Sequence, residues 1–170
     1  VMQRIFSQEL RFTRPDGSAY PDWEEKRLGE LVAIRTGKLD ANAMKSNGKY
    51  RFYTCAKEYY QIDEYAFDLE ALLISGNGAN VGYIHYYKGK FNAYQRTYVL
   101  SDFAKEVYVI YLKCFLDKNL STRIALEKRE GNTPYITMST LTDMYIDFPH
   151  LDEQRQIADF LSAIDDKISL

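Results

Sequence analysis

Cysteine, histidine, proline and tryptophan are all scarce: of 170 residues, 2 are Cys, 2 His, 4 Pro and 1 Trp. Cys55 and Cys114 stand far apart and form no CxxC pair, which excludes the disulfide framework that small secreted domains need. His85 and His150 are equally separated, so no metal-ligand cluster is visible. No apolar run reaches transmembrane length and the N-terminus lacks a signal-peptide pattern, so a soluble, cytoplasmic protein is expected. Charge of one sign is lacking too: 22 Lys plus Arg against 24 Asp plus Glu leave a net charge of −2. That balance rules out a uniformly basic nucleic-acid binder but leaves room for a local basic face.

Catalytic templates are also missing. Gly76-Asn-Gly-Ala-Asn-Val-Gly82 misses the dinucleotide spacing by one residue. It lies between two apparent strands, whereas a phosphate cradle needs its glycines to open a helix. A hairpin turn requiring positive φ explains it better. There is no Walker lysine, no G-x-S-x-G elbow and no Asn/Asp-Pro-Pro-aromatic tetrapeptide of an amino-methyltransferase. The acidic run Asp63, Glu64, Asp68 and Glu70 suits a solvated loop, and neither histidine has an evident nucleophile partner.

What is abundant is apolar and aromatic. The apolar fraction of 46% suffices for a core, and the length suits one domain, or one domain with a helical arm. The 15 tyrosines fit half-buried strands, or else a surface that binds something flat. Val1 to Leu10 reads as the end of a helix, with Met2, Ile5 and Phe6 on one side. Arg14-Pro-Asp-Gly17 is a turn, and a compact body begins near Trp23 with Leu28, Leu31 and Val32 in its core.

The stretch from Gly37 to Gly48 is loop-like. Strands are expected over Tyr50 to Cys55, Ala71 to Ser75, Val81 to Tyr87 and Phe91 to Leu100, with a turn at Lys88-Gly-Lys90. Lys105 to Leu120 has helical spacing, continued by a short helix to Glu130 that Gly131-Asn132 breaks, and Met144 to Phe148 forms a last strand. After Pro149, Asp152 and Glu153 suit the first turn of a helix. Ile157, Leu161, Ile164 and Ile168 then recur at alternating steps of four and three, the seam spacing of a coiled coil. With no partner evident in the chain, that seam points to an assembly. The class is α+β: a β-rich body with hairpins and a few helices, followed by the start of a coiled-coil spacer helix.

Recognition chemistry is what remains. Lys38 sits in a polar loop; Arg51, Tyr53, Thr54 and Lys57 lie along or just after one strand; Asn77 and Asn80 occupy a hairpin tip. Tyr94, Gln95 and Arg96 interrupt an otherwise apolar strand, where two long polar side chains are costly unless they face a partner. Lys128, Arg129, Asn132 and Thr133 surround a helix end. Arg, Gln and Asn can make bidentate contacts to guanine and adenine edges, while Lys and hydroxyls suit phosphates. Each of these residues, taken singly, would be unremarked on a surface.

Four segments together resemble a target recognition domain of the specificity subunit of type I restriction–modification enzymes. They are Asp22 to Val32 with Thr36-Gly-Lys38; Leu72 to Gly82; Phe91 to Leu100; and Pro149 with Glu153-Gln154, Ile157, Leu161 and Ile168. The resemblance implies sequence-specific binding of double-stranded DNA at one half of a bipartite target, without catalysis. It implies partners: methyltransferase (modification) subunits using S-adenosylmethionine, a motor–nuclease (restriction) subunit using ATP and Mg, and a second recognition domain in the full subunit. No cofactor is expected on this chain. Residues 1–12 would be the tail of a preceding spacer helix, 13–149 the recognition domain and 150–170 the start of the next spacer helix. The chain would then be an excised second domain or a natural half-subunit. The recognition region of a single-chain methyltransferase–nuclease is an alternative reading. So is a carbohydrate- or protein-binding module with exposed tyrosines, favoured if a tyrosine-lined groove lacks neighbouring basic residues.

Overall fold

The structure, a computed structural model, describes residues 1–127 and 133–169, with side chains through Asp165. A short helix α1 (Met2–Phe6) precedes a two-stranded antiparallel ribbon of β1 (Glu24–Arg27) and β8 (Tyr145–Phe148). A one-turn helix α2 (Leu28–Leu31) leads from β1 into a six-stranded sheet. Its strands are β2 (Ala33–Thr36), β3 (Tyr50–Tyr53), β4 (Tyr60–Ile62), β5 (Phe67–Ser75), β6 (Ile84–Ala93) and β7 (Thr97–Ser101). Their spatial order is β2-β7-β5-β6-β3-β4, antiparallel except for the parallel β3–β6 pair. The helices α3 (Val109–Leu126), α4 (Met138–Thr142) and α5 (Leu151–Ser169) complete the chain.

β5 is buried on both faces, which is why it reads as the unbroken run Ala71-Leu-Leu-Ile. Strand alternation sends Leu72 and Ile74 into the main core, with Leu100 of β7, Ile84 of β6, Leu28 and Leu31 of α2, and Leu112, Leu116 and Leu120 of α3. Ala71 and Leu73 face the other way, into a smaller core with Tyr53, Phe91, Ala93 and Val99. Ile157 and Leu161 of α5 belong to the main core, as does Ile5 of α1.

Several expectations from the sequence need correction. Lys88-Gly89-Lys90 is no turn: it lies inside β6, where Lys88 stands opposite Glu70 and Lys90 opposite Asp68 of β5. Half of the acidic run, Asp68 and Glu70, is therefore strand and not loop, and the Glu70 carboxylate accepts the Tyr86 hydroxyl of β6 (2.6 Å). Phe91 to Leu100 is two strands, divided by a tight turn at Tyr94–Arg96 in which the Thr97 N–H donates to the Tyr94 carbonyl (2.9 Å). The helical spacing from Lys105 onward becomes one helix that starts at Val109 and runs unbroken to Leu126. Helix α1 ends at Phe6 instead of reaching Leu10, since Gln8 turns left-handed (φ 65°). The seam of α5 does not lack a partner either, because the chain's own core covers Ile157 and Leu161, while Ile164 is half-buried.

Candidate nucleic-acid interface

The Tyr94–Arg96 turn sits where several loops meet at one end of the sheet. Each of its residues is held by backbone hydrogen bonds to a different segment. Tyr94 N–H donates to the Tyr53 carbonyl at the end of β3 (2.9 Å) and Gln95 N–H to the Leu39 carbonyl beyond β2 (2.8 Å). Gly76 N–H, just past β5, donates to the Arg96 carbonyl (2.9 Å), and Gly37 N–H donates to Thr97 (3.2 Å). Two glycines permit this approach: a Cβ at Gly37 would fall far inside contact distance of the Ala93 carbonyl, and one at Gly76 inside that of the Arg96 carbonyl. The turn's backbone is thus fixed while the Gln95 and Arg96 side chains are exposed.

Around this turn the fold gathers candidates from distant parts of the sequence. Lys38 is exposed beside Leu39, to which Gln95 is bonded. Lys57 is exposed on the loop after β3, its Nζ 6.0 Å from the centre of the Tyr83 ring. Asn77 is half-buried next to Gly76 and forms a β-bridge with Tyr135. Segment 133–136 closes on this hairpin tip through Gly78 N–H to Pro134 (3.1 Å) and Ile136 N–H to Gly76 (2.9 Å). Thr133, next to Pro134, is exposed, and Asn80 on the hairpin tip is half-buried. Lys128, Arg129 and Asn132 lie outside the described residues, as does the side chain of Ile168.

Three candidates occupy other roles. Tyr53 is 1% exposed, at the centre of the smaller core, its ring against Tyr59, His85, Tyr87 and Phe91. Thr54 is buried, and its hydroxyl accepts the Ala56 N–H (3.2 Å). Both therefore support the loop from beneath and do not form its surface. Arg51 lies between two tyrosines, its guanidinium carbon 4.1 Å from the Tyr59 ring centre and 4.4 Å from that of Tyr87, and it donates to the Tyr53 hydroxyl (3.0 Å). A flat cation stacked on two rings is a task lysine performs poorly. Arg51→Lys is expected to cost about 1–2 kcal/mol of stability in urea denaturation. An unchanged midpoint would mean that the stacking contributes nothing.

His85 is a residue the sequence pattern passed over. Its Nε2 lies 3.0 Å from the Ala56 carbonyl, which requires the proton on that nitrogen. Burial holds its pKa below the ordinary histidine value, so a neutral ring ties the 54–57 loop to β6. A histidine amid strand tyrosines was the available signal, but the loop it holds is 29 residues away. Four of the seven exposed tyrosines, Tyr59, Tyr65, Tyr83 and Tyr145, lie against cations, in Arg51, Lys90, Lys57 and Arg27. Among the described residues no helix is long and apolar enough to cross a membrane.

Comparison with known proteins agrees with this architecture. The chain is 41% identical over 143 residues to the type I restriction enzyme EcoDI specificity subunit of Escherichia coli, covering 84% of this chain and 31% of that protein. A putative type I specificity subunit from Mycoplasma pneumoniae is 29% identical over 146 residues, covering 82% of this chain and 39% of that one. The chain thus spans well under half the length of these relatives. In fold it resembles the S subunit of a type I restriction-modification system from M. genitalium, at a TM-score of 0.72 and 20% identity over 87% of this chain and 40% of that one. The HsdS subunit of Thermoanaerobacter tengcongensis is similar at a TM-score of 0.69 and 20% identity, covering 99% and 43%. Residues 20–170 match the type I restriction modification DNA specificity domain. With nearly all of its length inside that match, the chain belongs to the family of type I restriction–modification specificity domains.

Proposed function

We propose that this chain binds double-stranded DNA sequence-specifically, reading one half of a bipartite target through the Tyr94–Arg96 end of the sheet. The observation that carries this is the turn itself: a backbone held by three neighbouring segments, with Gln95 and Arg96 exposed on it. A rigid tip places bidentate side chains for base edges with little ordering cost on binding. Lys38 and Lys57 stand on the flanking loops, where they suit phosphates, and Asn77 and Asn80 lie on the adjoining hairpin tip. Exposed Thr133 follows in the segment bonded to that tip, and Lys128, Arg129 and Asn132 are kept as candidates on side-chain chemistry alone.

In this reading residues 13–149 are the reader, while 1–12, helical over Met2–Phe6, and 150–170 belong to spacer arms that link it to a second recognition domain. The chain is non-catalytic and works in the cytoplasm. S-adenosylmethionine is used by methyltransferase subunits, and ATP and Mg by a motor–nuclease subunit, all docked on the full assembly.

The test is selection of bound sequences from random duplex DNA by the full-length subunit, followed by Arg96→Ala. The substitution is expected to weaken binding to the selected sequence by about 1–3 kcal/mol and to change random-DNA affinity little. Failure to enrich any sequence would sink the reading. Equal losses on both DNAs would make Arg96 a phosphate contact or a fold residue.

A further inference from the structure

The first turn of α5 carries two fully buried polar side chains, Glu153 and Gln154, each 0% exposed. The Glu153 carboxylate accepts from Arg11 (2.8 Å to Oε1) and from the Trp23 indole N–H (3.2 Å). The Gln154 amide is bonded at both ends: its Oε1 accepts the Tyr108 N–H (2.8 Å), and its Nε2 donates to the Glu106 (2.6 Å) and Pro149 (2.9 Å) carbonyls. The helix is thereby referenced to the entry segment, to the start of the body and to the loop between β7 and α3. Further along the helix, Gln156 donates to the Thr13 carbonyl (3.3 Å) and Phe160 meets Phe12 edge-on with ring centres 5.6 Å apart.

We propose that Glu153 and Gln154 are positioning residues that set the direction in which α5 leaves the body. The apolar contacts of Ile157 and Leu161 hold the helix against the core, but hydrophobic contact is non-directional and tolerates rotation or sliding. Hydrogen bonds to fixed backbone groups tolerate neither. A buried ion pair such as Arg11–Glu153 adds little net stability over apolar packing, so its contribution lies in selecting one geometry. The grip also reaches the candidate interface. β7 starts directly after Arg96, and its far end runs into the loop that Gln154 holds. The direction of α5 is therefore defined relative to the exposed turn, and anything carried beyond the helix is held at a set orientation to it. The proposal concerns geometry and stands whether or not the chain reads DNA.

The experiment uses the full chain with spin labels on non-natural residues at two exposed positions, Lys88 on β6 and Ala163 on α5. A control pair at Lys38 and Lys88 lies within the body. Gln154→Ala and Glu153→Ala are expected to broaden the Lys88–Ala163 distance distribution about twofold while the control pair keeps its width. Glu153→Gln, which retains an acceptor for Arg11 and Trp23, is expected to remain near the original width. Should the alanine variants not fold, Arg11→Ala leaves α5 itself intact and must broaden the same pair. Unchanged Lys88–Ala163 widths would overturn the proposal. So would broadening of both pairs, which would reduce these residues to general stability, or Glu153→Gln behaving like Glu153→Ala.

Discussion

Gly37→Ala and Gly76→Ala are each expected to lower unfolding stability by about 3 kcal/mol or more, the upper end for overpacking. The added methyl at Gly37 would collide with the Ala93 and Tyr94 carbonyl groups, and at Gly76 with the Arg96 carbonyl. These are backbone atoms that cannot swing aside as a long side chain would. Ala93 is in register with Tyr53 of β3, Tyr94 is bonded to Tyr53, and Gln95 to Leu39. Relief would therefore require moving β3, β6 and the turn together. Gly78→Ala is the control: its φ of +84° is a left-handed conformation, but nothing lies within 4 Å of its Cβ position, so the cost should be only about 1–2 kcal/mol. Urea denaturation of the three variants decides the matter. If Gly37→Ala costs no more than Gly78→Ala, the turn is not pinned as described. On the proposed reading of DNA by this turn, the variants should also lose preference for the selected sequence at temperatures where they remain folded.

These glycines show how far the sequence could be read. Their presence marked 37–38 and 76–82 as special, and the hairpin reading holds for Gly78 and Gly82, whose φ values are positive. Gly76 is needed for another reason, close approach to Arg96, and that partner lies 20 residues away in the chain and across the sheet. The same limit explains Lys88-Gly89-Lys90: locally it has turn chemistry, and only the continuous pairing of β6 with β5 makes it strand. Tyr53 and Arg51 looked like surface contacts because tyrosine and arginine are amphipathic, yet stacking among Tyr59, Tyr87 and each other draws them inward. Gln95 and Arg96 were singled out as polar interruptions of a strand. They are exposed because the strand ends there. Local pattern was sufficient for β8 and α5, whose burial follows repeating spacing, and for the second half of β5, an unbroken apolar run. It could not supply the parallel β3–β6 pairing, which depends on contacts distant in sequence.

Leu161→Ala and Ile157→Ala should each destabilise the protein by about 2–5 kcal/mol, as truncations in a packed core do. Both residues carry coiled-coil spacing, and from spacing alone they belong to an intermolecular seam. Their burial in the main core, with α5 packed on α3, assigns this part of the seam to the chain itself. An intramolecular partner makes a distinct demand: the denaturation midpoint must be independent of protein concentration, for the parent and for both variants. A seam completed by a second copy would instead raise the midpoint with concentration and weaken that dependence on truncation. Ile164→Ala, at a half-buried position, should cost about 1 kcal/mol, in line with its smaller loss of contact. The ordering Leu161 and Ile157 well above Ile164 follows from one physical fact. The start of α5 is covered by its own body and anchored there by Glu153 and Gln154, so the helix does not depend on another molecule for its first turns, where an isolated segment of this length would be marginal.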